Sequence, residues 1–354
     1  MSVAGNTTDN LRREVRDAFY SPKWLDYNLK HLLWQKMAMQ IEMPSGEGKT
    51  VHIKAWNPPA RVITPVPLLE GVTPDARKLT RREVSAQLVF YGNYLEHTDL
   101  LETIFEDADN LKTGENQFLA TLQAEERDMA MFNILTGGTN VVYAGGVNSR
   151  SNVKAPISIG DLHAVNRALK NGLDGRAGMP ITEIMRSDGS FGTVDIEPSY
   201  VAVITPDLEY DIRSLPGFAP SSSYAATTKL IDVHEFGKVD NFRFISTTNY
   251  EPFRDAGIAN PSVENVLYTA GDGGALSKAD VYPILIFSQD AYATIPLTGE
   301  QGMMLIRKDL GSSGGLDPLN QRATVGYKNP FAGVICFQER LIRLEVACTA
   351  QAGL

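Results

Sequence analysis

Residues 50–90 read TVHIKAWNPPARVITPVPLLEGVTPDARKLTRREVSAQLVF. In the first part Val51, Ile53 and Ala55 alternate with His52, Lys54 and Trp56, the period of two that gives a strand one apolar face. The last part returns with Val84, Ala86, Leu88 and Phe90 set against Glu83, Ser85, Gln87 and Val89. Residues 57–80, between them, hold five prolines and no period, which excludes a helix or a central strand. The pattern predicts a long hairpin whose irregular tip has little core of its own. Such an arm makes physical sense when another subunit supplies the missing surface.

Upstream, residues 11–40 read as an amphipathic helix with interruptions, because Leu25, Leu29, Leu32 and Leu33 recur at helical spacing with Trp24 and Trp34 among them. The stretch MPSGEGKT at 43–50 ends like a phosphate-binding loop, but Met43 stands where the first glycine belongs. A phosphate loop must also open a helix whose amides face the phosphates, and here a strand follows. A hairpin base is the expected role.

Downstream, residues 114–136 (GENQFLATLQAEERDMAMFNILT) predict the longest helix, stopped by Gly137 and Gly138. Phe118, Leu122, Met129 and Phe132 fall on one face, and Ala120, Ala124, Met131 and Leu135 lie roughly opposite, so the helix is expected to be covered on two sides. Glu125 interrupts the first stripe and is expected to be paired or at an edge. Residues 91–136 carry ten carboxylates against Lys112 and Arg127, a net −8 within a chain of net −9. Tight nucleic-acid binding needs a basic patch, so the charge argues against it.

From residue 156 the texture alternates. SIGDLHAVNRALKNG predicts a helix opened by Ser158 or Asp161, YVAVITP a buried strand, and PDLEYDIRSL a helix after it. FRFISTT and YPILIFS predict further strands, and TAGDGGALSKAD near 269–280 a surface loop. A glycine-rich linker then leads into strands marked by Ala323, Val325 and Tyr327, and by Val334, Cys336, Leu341, Leu344 and Val346. The expected organisation is a compact α/β lobe inserted between a helix-plus-strand unit and its own C-terminal strands.

No constellation for catalysis stands out. His31, His52, His97, His163 and His234 are scattered without HExxH or HxH spacing, and neither GxSxG nor a GxGxxG after a strand occurs. The acidic run EHTDLLETIFEDAD lacks the ligand alternation and central glycine of a calcium loop. Cys336 and Cys348 are the two cysteines and form no CxxC, so neither a disulfide framework nor a zinc knuckle is expected, and folding in a reducing cytoplasm is. The longest apolar runs, such as ILIF and FAGVICF, are too short to cross a bilayer. No metal, no cofactor and no membrane contact are predicted. An α/β enzyme with its site at the YVAVITPD strand end is a distant alternative.

Residues 312–346, a glycine-rich loop followed by DPLNQRATVGYK and NPFAGVICFQERLIRLE, resemble the C-terminal signature of major capsid proteins of the coliphage N-four type. The GKTV strand, the proline-rich loop with LLEGVTP, the return to FYGNYLEHTD and the long helix agree with that family in the same order. The resemblance implies an α+β chain of the Hong Kong 97-like phage capsid fold: an N-terminal arm (1–45), an extended β-hairpin loop (46–90), a peripheral domain with a spine helix (91–155 and 318–354) and an axial domain (156–317). It further implies a virion shell protein without catalytic activity. Its partners would be itself, in hexamers and pentamers, together with scaffolding protein, portal and decoration protein, and packaged DNA only by non-specific proximity. Assembly residues are expected at Trp56, Pro65, Pro67, Leu68 and Leu69 in the loop, and at Phe118, Leu122, Glu125, Met129 and Phe132 on the spine. If the spine lines the interior, its acidic segment would repel packaged DNA. An encapsulin-like nanocompartment shell is the alternative within the same fold.

Overall fold

The computed structural model describes residues 32–350 except 45, 47, 58, 60, 61, 63–66, 68, 69, 72, 74, 75, 105–107, 173–177, 186–190, 225–229, 260–264, 269–277, 299–303 and 313–318. Strands β1 (Met39–Gln40) and β2 (Met43–Pro44) precede a hairpin of β3 (Thr50–Trp56) and β4 (Arg81–Gln87). Then β5 (Val89–Thr98) runs through α1 (Asp99–Ile104) into α2 (Ala108–Thr136). There follow β6 (Val141–Tyr143), α3 (Ile159–Asn171), β7 (Ile181–Met185), β8 (Phe191–Ile204), α4 (Glu209–Arg213), β9 (Ala219–Pro220), β10 (Glu235–Val239), β11 (Phe242–Ser246) and β12 (Tyr282–Phe287). The last strands are β13 (Tyr292–Ile295), β14 (Leu297–Thr298), β15 (Met304–Lys308), β16 (Arg322–Ile335) and β17 (Leu341–Val346).

Two sheets organise these elements. The larger has the order β6-β17-β12-β8-β11-β10-β9, with β7 added to β8; the smaller has the order β1-β13-β16-β15, with β5 along β16. The period of two explains why the strands of the larger sheet read as fully buried. Val201, Val203, Leu285 and Phe287 enter one core, while Tyr200, Ala202, Ile204, Ile284 and Ile286 enter another on the opposite face. Helix α3 lies in the second core through Leu162, Val165 and Leu169. Its start uses both residues singled out in the sequence: Ser158 is the N-cap, and the side chain of Asp161 receives its backbone N–H in a capping box.

Helix α2 joins the sheets. Met131, Phe132 and Leu135 share the first core with Leu285, Phe287, Phe331, Ile335 and Leu341. The helix lies close on β16 because residue 333 is glycine; a Cβ there would stand 2.8 Å from the Met131 methyl and 3.0 Å from Ile134. Besides the passage through α2 from β5 to β6, the chain passes directly between the sheets after β12 and after β16, and these two direct passages clasp each other. Ala291 O accepts from the amides of Cys336 and Phe337, and Arg340 O accepts from that of Ser288.

Several expectations need correction. Leu33–Met37 form a single turn leading into β1, with Leu33 and Trp34 fully buried; the rest of the expected 11–40 helix lies outside the described residues. The return strand breaks at buried Leu88, whose amide binds Lys49 O, so Phe90 points outward at 53% exposure. The predicted 206–215 helix is a 3-10 turn followed by the five residues of α4. The end of the expected 269–280 surface loop is interior, since Ala279 and Asp280 are buried. Helix α2 begins six residues earlier than Gly114, at Ala108. Its inward residue near the start is Leu119, packed with Val325 and Tyr327, whereas Phe118 is 46% exposed. Apart from these corrections, the sheets themselves run across residues 155 and 317: β6 and β17 belong to the larger sheet, and β13 and β15 to the smaller one.

The helix register gives a direct test. Replacing Leu119 with Ala should lower unfolding free energy by about 2–5 kcal/mol, as for a truncated core leucine. Phe118→Ala should stay within about 0.5 kcal/mol. Denaturant titration of the two variants reads the difference.

Candidate functional site

The hairpin is anchored at its base and bare beyond it. Its strands pair in register from Thr50 with Gln87 to Trp56 with Arg81. The inward residues Val51, Ile53, Val84 and Ala86 pack on Met43, Ala293 and Ile295, so the base has a core after all, supplied by the body. Arg82 reinforces it, donating to both carboxylate oxygens of Glu339 at 2.9 and 3.4 Å and lying 4.4 Å from the Phe337 ring. Past this point the large apolar side chains among the described residues are open to solvent. Trp56 is 67% exposed, Leu79 70% and Val62 49%. Pro67 is exposed and outside any strand, while Pro65, Leu68 and Leu69 lie outside the described residues.

The five spine-helix residues singled out in the sequence differ in exposure. Phe132 is buried, 5.2 Å from the Trp34 ring and 5.1 Å from that of Tyr250. Met129 packs partly buried on the same core, and Leu122 on the small cluster around Leu119. Glu125 is half-buried, and its carbonyl accepts from the Asn249 amide. Phe118 is the one with a free apolar face among the five.

Asp128 does work that the sequence reading missed. It is fully buried, and its carboxylate accepts from the amides of Leu33 (3.3 Å) and Gln35 (3.2 Å) and from Asn249 Nδ2 (3.1 Å). Burial raises its pKa, against the lowering effect of Asn249 and the amides of Gln35, Leu33 and Trp34. The indole of Trp34 donates to Asn249 O, and the Tyr292 hydroxyl donates to Trp34 O. The root of the N-terminal segment is thereby fixed to α2 and to β13. A carboxylate set between apolar positions of a helix was the available signal.

The acidic segment is largely engaged inside the subunit. Glu115 is buried, with Oε1 2.7 Å from His97 Nδ1 and Oε2 3.5 Å from Arg307. Glu126 accepts from Tyr327 and Asn93, Glu102 pairs with Lys112 at 2.8 Å, and Glu96 with Arg322 at 3.4 Å. Asp128 and Glu115 are thus interior, and part of the net −8 is matched within the subunit.

The remaining candidates for chemistry are structural. Among the described histidines, His97 joins the buried cluster and exposed His52 pairs with Glu83 at 2.6 Å. Burial pushes the thiol of Cys336 up to about 11 and that of Cys348 up to about 12, which leaves neither as a thiolate nucleophile near neutrality. The strand end after Ile204 is closed by the chain's own C-terminal segment: the Cys348 thiol donates to Asp207 O, and the Thr349 amide to Asp211. Among the described residues no three His, Cys, Asp or Glu are grouped to hold a metal.

No protein-family model matches this sequence, and no curated protein matches it. Solved structures do. The capsid of Ralstonia phage GP4 matches with a TM-score of 0.62 at 13% identity, over 95% of this chain and 98% of that one. The cyanophage Pam1 capsid gives 0.59 at 12% identity, over 99% and 100%. The acid-stable capsid of Helicobacter pylori bacteriophage KHP30 gives 0.58 at 11%, over 98% of each. The chain therefore has the α+β Hong Kong 97-like fold of phage capsid subunits over nearly its whole length.

Removing the Asp128 carboxylate tests the fixed root. Asp128→Ala should cost about 1–3 kcal/mol, the range for buried donors left without an acceptor. Hydrogen exchange at the amides of Leu33 and Gln35 should rise with it, while the amides of β12 stay protected.

Proposed function

We propose that this chain is the major capsid protein of a tailed phage of the coliphage N-four type, a shell subunit that assembles with copies of itself into hexamers and pentamers around packaged DNA. The observation that carries the reading is the far half of the hairpin. Apolar Trp56, Val62 and Leu79 stand in solvent at the end of a two-stranded arm, and an isolated two-stranded hairpin is marginal in water. Each seven-residue strand carries the tip roughly 23 Å beyond its root at about 3.3 Å per residue, far enough to lie on an adjacent copy. One patch bound to a different patch on the next copy is a heterologous contact, and such contacts close into rings when the rotation allows. The match to phage capsids over nearly the whole of both chains supports the same role.

In this reading residues 1–45 are the arm and 46–90 the extended loop. The smaller sheet with α2 forms the peripheral part and the larger sheet with α3 the axial part, so β13 to β15 join the former and β6 and β17 the latter. The shell is assembled in the host cytoplasm, and scaffolding, portal and decoration proteins complete the head. The subunit contributes surfaces and no reaction.

A loop replacement tests this. Exchanging residues 58–79 for a short Gly-Ser linker should leave a folded subunit, with unchanged circular dichroism and a melting temperature within a few degrees, that no longer sediments as particles. Closed particles formed by the loopless variant would overturn the proposal.

A further inference from the structure

Arg127 stands out among the cations of α2. Among the described residues it has no ion pair and no hydrogen-bond acceptor; its Nε is buried without a partner, and its guanidinium lies 5.6 Å from the centre of the Phe331 ring. Burial alone draws its pKa down from the usual guanidinium range, the sign of a charge that has lost water and gained no anion. Lys112, the other cation of α2, is matched to Glu102, and nearby Arg307 pairs with Glu115 and Asp309 and Arg322 with Glu96. Phe331 also meets Tyr91 edge-on, at 6.3 Å. Tyr91 is in turn one wall of an open groove of about 490 Å³ between β5 and α2, completed by Met129, Ala130, Ile134, Asn133 and Glu126. Ala130 and Ile134 follow Arg127 by three and seven residues, on the same side of the helix. A half-buried cation thus flanks a mostly apolar groove.

We propose that this place receives a carboxylate and the apolar residues beside it from a second copy of this chain, Arg127 being the charge that fixes the register. The occupant that fits is the hairpin turn. There Glu70 and Gly71 form an exposed turn, and in sequence Leu68 and Leu69 precede them. Two leucines for the groove and one carboxylate for Arg127 match the site in both chemistry and sign. Guanidinium and carboxylate also pair with fixed geometry, so the contact sets register as well as affinity. The inference rests on the reading of the chain as a self-assembling subunit and names the residues through which one copy recognises the next.

The test compares particle formation by the full-length wild type, Arg127→Gln, Glu70→Gln and the exchanged pair R127E/E70R, read by sedimentation across a concentration series. Each single variant should raise the concentration needed for assembly by about ten-fold or more, as for a broken desolvated charge pair. The exchanged pair should recover most of the loss. Melting curves of the unassembled chains separate misfolding from lost recognition, and Glu70→Gln, altered at an exposed turn, carries the test if Arg127→Gln unfolds. Wild-type failure to assemble would overturn the shell reading and this inference with it. Wild-type assembly matched by Glu70→Gln, or single losses that the exchange does not repair, would overturn the inference alone.

Discussion

The clasp between the two direct inter-sheet passages holds the rest of the molecule in place. Ala291 O takes two amides from the passage after β16, and Arg340 O takes one from the passage after β12. Backbone groups buried at a crossover must find partners, and here each passage supplies the other's. The two sheets are therefore tied to each other by backbone hydrogen bonds. The core that forms over the clasp contains Phe287, Tyr292, Ile335 and Leu341 from its flanks, together with Met131, Phe132 and Leu135 of α2 and Trp34 of the N-terminal root. Glu339, which holds the hairpin through Arg82, lies within the second passage.

That arrangement divides the chain into a self-sufficient body and projections that are not. Arg127 apart, several buried charges of the body are matched within it: Asp128 binds backbone amides, Glu115 sits between His97 and Arg307, and Glu345 accepts both Arg150 and Arg343. The hairpin uses the body's core for its first residues, while Trp56, Val62 and Leu79 beyond them stand exposed. A subunit with its own core and an exposed arm suits a particle assembled from many weak contacts acting together.

Much of this was legible in the sequence because it rests on periodicity. Period two in residues 50–56 and 81–87 marked the hairpin and its inward face, and the prolines marked the tip. The capping pair Ser158 and Asp161 marked α3. What escaped were features set by contacts distant in sequence. Phe118 and Leu119 are equivalent as apolar helix residues, and only the position of Val325 and Tyr327 decides which one turns inward. The −8 of residues 91–136 looked like a surface field because Arg307 and Arg322, which neutralise part of it, lie some two hundred residues away. Sheet membership of β13 and β17 likewise depends on the clasp, which leaves no local pattern. Within the candidate site the exposed Trp56 was visible from alternation alone, whereas the role of Asp128 required its partner segment to be in view.

Cryo-electron microscopy of particles formed by the full-length chain tests the central claim most directly. The account predicts closed shells in which the far half of each hairpin, from Trp56 to Leu79, lies on the body of an adjacent copy. Monodisperse monomers under every assembly condition, or shells in which each hairpin folds back on its own subunit, would contradict it.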